Sequence, residues 1–157
     1  MNKTIFIIAT LFIAALTSCA KPAPATTPAA QADKDGVYYG NAYGIKIGED
    51  ALKEGKHDLA LQALNEGLWF LRKANLAEKC GTSKTRCIIY KIYGFYLRAM
   101  VHAMNDNADM ALADLNWIHE NGYMALLVKY YKFWNEPRFN SLNGNTAFQK
   151  LVSIYKK

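Results

Sequence analysis

The sequence predicts an all-α domain, and three observations predict it. Apolar residues recur at three- and four-residue intervals over several long segments; short stretches of Gly, Asn and Asp separate those segments; and of four prolines only Pro137 lies beyond residue 36. Such spacing places side chains on one face of a helix. Proline inside a helix costs about 3 kcal/mol, so its scarcity leaves long helices intact.

The first helical segment runs from Tyr38 to Glu54 and carries Gly40, Gly44 and Gly48 at four-residue intervals after Gly36. Each glycine costs roughly 1 kcal/mol relative to alanine in a helix. A face of such residues predicts close crossing by a neighbouring helix of the same chain. The turn "EGKHD" supplies Gly55 where a helix must end. In "GKHDLALQALNEGLWFL" the residues Leu59, Ala60, Ala63, Leu64, Gly67, Leu68 and Leu71 form one stripe of a second helix. A third segment spans Cys87 to Met104, and the turn "NDNAD" follows it. Met110, Ala111, Asp114, Leu115 and Ile118 then form the stripe of a fourth, with Gly122 as its expected stop. Together these segments predict antiparallel helical hairpins.

Two C-terminal stretches complete the domain. "LLVKYYKFW", Leu126 to Trp134, alternates lysines with aromatics. It reads either as a helix lying on anionic headgroups through Lys129 and Lys132, or as a buried stripe of Leu127, Tyr130, Tyr131 and Trp134. "NEPRFNSLNGNTAFQKLV" carries Pro137, Phe139, Leu142, Phe148 and Leu151.

"YGIKIGEDALKEGKHDLALQAL" resembles a tetratricopeptide repeat through Gly48, Gly55, Ala60 and Leu64, and "FYLRAMVHAMNDNADMALADL" offers Ala99, Asp106, Ala111 and Leu115 in the same order. Ala60 and Ala111 are 51 residues apart, whereas the usual period is about 34. The extra residues fall around "ANLAEKCGTSKTRC". The C-terminal Pro-x-Phe-x-x-Leu and Phe-x-x-Leu pattern is similar to endings seen after such repeats. The resemblance implies about two repeats over residues 37–157 with C-terminal capping helices, a fold that binds rather than one tied to a reaction.

The same resemblance implies where binding falls. In tetratricopeptide domains the first helix of each hairpin lines the concave face, which here corresponds to Ile45, Glu49, Leu52 and Lys53, and to Tyr93, Tyr96, Met100 and Met104. A groove of Tyr and Met suits a peptide or helix of a partner protein. The alternative is that the C-terminal helices fill this groove as core.

The N-terminus assigns the remaining residues. "MNK" precedes an uncharged run from Thr4 to Leu16, the length of a secretory hydrophobic region and shorter than the roughly 20 residues of a bilayer span. Leu16, Thr17 and Ser18 before Cys19 resemble the lipobox of bacterial lipoproteins. That resemblance implies a signal peptide over 1–18, an acylated Cys19, a bacterial envelope location and membrane attachment through the lipid. Ala20 and Lys21 lack the aspartate associated with inner-membrane retention, which favours the outer membrane facing the periplasm. Residues 19–36, rich in Ala, Pro and Thr, read as a tether too poor in apolar residues to order itself.

With Cys19 so used, Cys80 and Cys87 are left as a pair in an oxidising compartment, bracketing the polar "GTSKTR". A structural disulfide across the junction between the hairpins is expected. Two zinc ligands would still be missing nearby, and a redox pair is more often Cys-x-x-Cys.

Nothing in the sequence requires an enzyme. His57, His102 and His119 are scattered, and "WIHENGY" lacks the second histidine that would grip a metal from one helix face. There is no phosphate-binding glycine loop and no nucleophile elbow. No cofactor or metal is expected. The formal charge of +6 is matched by no nucleic-acid motif. The expectation is a lipid-anchored binding protein, an adaptor or assembly factor, with a periplasmic immunity lipoprotein that blocks a toxin enzyme as the alternative.

Overall fold

The computed structural model describes residues 36–73 and 84–156. The expected signal peptide, Cys19, the expected tether up to residue 35 and Cys80 therefore lie outside the described residues, while Gly36, expected as the last residue of the tether, opens the first helix. Those described are overwhelmingly helical, with no strand among them. The elements are α1 (Gly36–Lys53), α2 (His57–Lys73), α3 (Lys84–Met104), α4 (Ala108–Glu120) and α5 (Met124–Tyr130), then 3-10 segments Phe133–Asn135 and Pro137–Leu142, then α6 (Thr146–Tyr155). The protein is all-α.

α1 and α2 run antiparallel along one another, and glycine sets their distance. A Cβ at Gly44 would lie 3.0 Å from the Gly67 Cα and 3.1 Å from the Ala63 carbonyl oxygen, so backbone meets backbone there. At Gly48 a Cβ would reach within 2.5 Å of the Leu64 side chain. The close crossing expected of the glycine face is thus made by α2. On α2 the stripe Ala60, Ala63, Leu64, Gly67, Leu68 and Leu71 is buried, while Leu59 is exposed.

One local device ends three helices. Gly55, Asp106 and Gly122 adopt positive φ of 72°, 55° and 75°. In each case the next residue's N–H reaches back to a carbonyl five positions earlier: Lys56 to Ala51 at 2.8 Å, Asn107 to His102 at 2.9 Å, and Tyr123 to Ile118 at 3.0 Å. This is the Schellman arrangement, which satisfies carbonyls that a helix end leaves open. Asn107 also caps α4, accepting from the Met110 N–H.

α3 is the centre of the molecule, lying against α1, α2, α4 and the segment Pro137–Leu142. From Gly94 to Ala103 every residue is buried, as a helix with neighbours on all sides requires. At Gly94 the Ile45 and Leu68 side chains occupy the space that a Cβ would need, so α1, α2 and α3 converge there. The buried guanidinium of this run is compensated. Arg98 makes a bidentate pair with Asp114, Nε to Oδ2 at 2.8 Å and a terminal nitrogen to Oδ1 at 2.6 Å, and donates to Asn65 Oδ1 at 2.7 Å. One guanidinium thereby ties α2, α3 and α4 together. His102 is buried on the same helix, and burial lowers its pKa below the ordinary histidine value; the Asp114 carboxylate partly opposes that and Arg98 adds to it.

The C-terminal residues close over α3. Ser141 Oγ donates to the Ala103 carbonyl at 2.8 Å, and the Arg138 guanidinium approaches the Met100 sulfur at 3.6 Å. Asn145 caps α6 by accepting from Ala147 and Phe148 at 2.9 and 3.2 Å, and α6 buries Phe148, Leu151 and Val152.

The stretch from Leu126 to Trp134 differs from both of its readings as a single helix. α5 ends at Tyr130 and the chain turns extended at Tyr131. Leu127 is buried, but Tyr130 and Tyr131 are not. The uninterrupted buried stripe does not form, because the helix stops before it can complete one.

Candidate functional site

The first helices of the two antiparallel pairs, α1 and α3, meet along a shallow concavity of about 310 Å³. Its walls are Ala42, Tyr43, Ile45 and Glu49 from α1 and Tyr90 and Tyr93 from α3, with Lys46 at the rim. The lining is mainly aromatic and aliphatic. Tyr90 and Tyr93 stand one helical turn apart, so both rings reach the same side of α3.

The polar edge is already organised. The Glu49 carboxylate receives Lys53 Nζ at 2.5 Å and has Lys46 Nζ at 4.0 Å. Burial pushes the Tyr93 phenol well above its ordinary pKa, and the nearby Glu49 carboxylate pushes it further. Tyr93 therefore stays protonated, a hydroxyl at the border of an apolar surface. Lys46 also pairs with Asp50 at 2.5 Å. These exposed pairs are worth little in stability, about 0–1 kcal/mol each, but they balance the charge around the concavity.

Of the eight residues expected on a concave face, four are core. Tyr96 is 1% exposed, Met100 3%, Ile45 1% and Leu52 5%. This corrects the expectation of an open Tyr and Met groove along α3. The cause is a cover of aromatic and cationic side chains: Tyr96 lies 5.3 Å from the Tyr131 ring and 5.8 Å from Phe139, between centroids, and Arg138 sits against Met100. Ile45 stays relevant as part of the concavity wall, and Leu52 does not.

Tyr93, Glu49 and Lys53 remain at the surface around the concavity. Met104 is exposed too, but it stands eleven residues beyond Tyr93, roughly 16 Å along the helix. It belongs to a different part of the surface. Tyr43, Tyr90 and Tyr131 were missed from sequence. Tyr131 stacks on Tyr93 at 5.8 Å with 24° between the planes and so prolongs the aromatic wall. For Tyr90 the signal was its spacing of three from Tyr93; for Tyr131, contributed from beyond α5, there was none.

The other chemistry-bearing residues have structural partners. His57 Nδ1 and Asn105 Oδ1 are 3.0 Å apart, linking the start of α2 to the turn after α3, and His119 Nδ1 lies 2.6 Å from the Tyr155 hydroxyl. No group of three or more His, Cys, Asp or Glu among the described residues is placed to hold a metal ion. Cys87 is buried and disulfide-bonded; Cys80, its expected partner, is outside the described residues. No described helix is long and apolar enough to cross a membrane.

Compared with known proteins, the chain matches no family model, and no curated protein or solved structure is significantly similar to it.

Proposed function

We propose that this chain is a lipid-anchored protein of a bacterial envelope whose helical domain, organised like a short tetratricopeptide array, binds a segment of another protein. It is a binding protein rather than an enzyme, acting as an adaptor or assembly factor. The observation that carries the reading is the tyrosine-lined concavity between α1 and α3, the first helices of the two antiparallel pairs. That is the surface a tetratricopeptide array uses. Tyr43, Tyr90 and Tyr93 offer apolar faces at low cost in side-chain entropy, which suits an anchor side chain of a partner peptide. Attachment rests on Leu16, Thr17 and Ser18 before Cys19.

Two measurements test the two halves of the proposal. Mass spectrometry of the mature protein should find acylated Cys19, and an unmodified cysteine there removes the anchor. For the site, a photoreactive residue placed at Tyr43 in living cells should cross-link a discrete protein. Tyr93→Ala should lower that yield about tenfold or more, as loss of a central aromatic anchor does, with helicity unchanged. Equal yields in the two proteins, or equal cross-linking from Ile154 on α6, would place any partner elsewhere.

A further inference from the structure

Outside the concavity, the outward side of α5 combines exposure with unpaired charge. Leu126, Lys129 and Tyr130 are spaced i, i+3 and i+4, on the side opposite the buried Met124 and Leu127. Tyr131 and Lys132 carry the surface past the helix end. Tyr130 is 67% exposed and Tyr131 42%. No acidic residue occurs from Asn121 to Asn135. Among the described residues neither lysine has a carboxylate partner; Lys129 Nζ lies over the Tyr130 ring, 5.4 Å from its centroid.

Exposed apolar residues are ordinary when scattered. Here two tyrosines and a leucine adjoin two cations without counter-charges, and the chain as a whole carries +6. Five residues are too few for a stable protein interface, which takes about 20–30 a side. They suffice for headgroups, where each lysine adds about 1 kcal/mol near an anionic surface and tyrosine rings settle at the boundary between water and acyl chains. We propose that Leu126, Lys129, Tyr130, Tyr131 and Lys132 dock the domain on the anionic phospholipid headgroups of a bilayer. This face meets the α1–α3 concavity only at Tyr131, whose ring stacks on Tyr93, and its docking does not depend on acylation of Cys19.

Hydrogen exchange tests it on the full chain mixed with vesicles of phosphatidylcholine alone or of phosphatidylcholine with phosphatidylglycerol. The amides of residues 126–132 should exchange more slowly on the anionic vesicles only, and high salt should remove the difference. In Lys129→Gln/Lys132→Gln the docking constant read from that protection should fall about 30-fold, the equivalent of two lysines at about 1 kcal/mol each. Retention on the neutral vesicles reports the N-terminal anchor, and the anionic increment reports this face, so either can fail alone. Equal exchange on both vesicle types, an unchanged constant in the double variant, or protection of this segment by a captured protein instead of by lipid would overturn the proposal.

Discussion

From Cys87 to Tyr93, α3 has one side against the domain and another at the surface; from Gly94 to Ala103 it has no surface at all. Both halves carry large, adaptable side chains at helical spacing, Tyr90 and Tyr93 in the first, Tyr96 and Met100 in the second. Nothing within the helix distinguishes them. The difference is made by residues 131–142, which cover the second half and stop at the first. Tyr131 marks the border, with its ring against Tyr93 on one side and Tyr96 on the other. A candidate binding surface in this protein is what the C-terminal segment leaves uncovered.

The largest effect is expected from the ion pair inside the covered half. Asp114→Ala strands the Arg98 guanidinium among buried neighbours, and breaking a buried pair from one side costs about 4 kcal/mol. Urea denaturation should show that loss; a change within the range of a surface substitution would mean that this half is less enclosed than the structure has it. Phe139→Ala follows, at about 3 kcal/mol for a buried aromatic, and it attacks the distinction itself. With the cover thinned, Tyr96 and Met100 should become accessible, so binding of an apolar dye should rise alongside the loss in stability. An unchanged dye signal would show that other residues close the groove.

The smallest effect sharpens the comparison through pH. His102 belongs to the covered half, faces Asp114 and Arg98, and has a pKa lowered in the folded state. The unfolded chain therefore takes up a proton first. The stability linked to this group is fully present above the ordinary histidine pKa, about 6.5, and is lost as pH falls through the lowered folded value. Urea midpoints measured from neutral to mildly acidic pH should fall, and His102→Gln should flatten that part of the profile. A profile identical in the variant would assign the acid sensitivity to other groups.

Much of this architecture was legible because its causes are local. Gly55 and Gly122 mark helix ends since a left-handed residue is needed there, and Ala60, Leu64, Leu68, Ala111, Leu115 and Ile118 announce their faces by spacing alone. Asp106 was legible as a turn, though not as a residue of positive φ. The site was legible only in part. Glu49 and Tyr93 do border a concavity, but the burial of Tyr96 and Met100 depends on Tyr131, Arg138 and Phe139, some forty residues away in the chain, and periodicity within one helix carries no record of what lies across it. The same holds for α5. The spacing of Leu127, Tyr130 and Tyr131 resembled a buried stripe because the end of the helix at Tyr130 has neither glycine nor proline to signal it.

The hydrogen bond from Ser141 to the Ala103 carbonyl joins residues 38 positions apart, and it has a consequence for the order in which the molecule is completed. The pairs α1–α2 and α3–α4 are closed by turns of a few residues and need nothing made later, so their contacts form early. The lid over Tyr96 and Met100 is synthesised after both helix pairs. Any nascent or truncated product that stops short of Pro137 would carry its helix pairs with a bare apolar stripe down the middle of α3, the kind of surface on which partly made proteins associate with one another. Residues 131–142 thus serve as a checkpoint: only a chain made past Leu142 hides the stripe, and quality control that recognises exposed apolar surface would separate such copies from shorter ones without reading anything else about them.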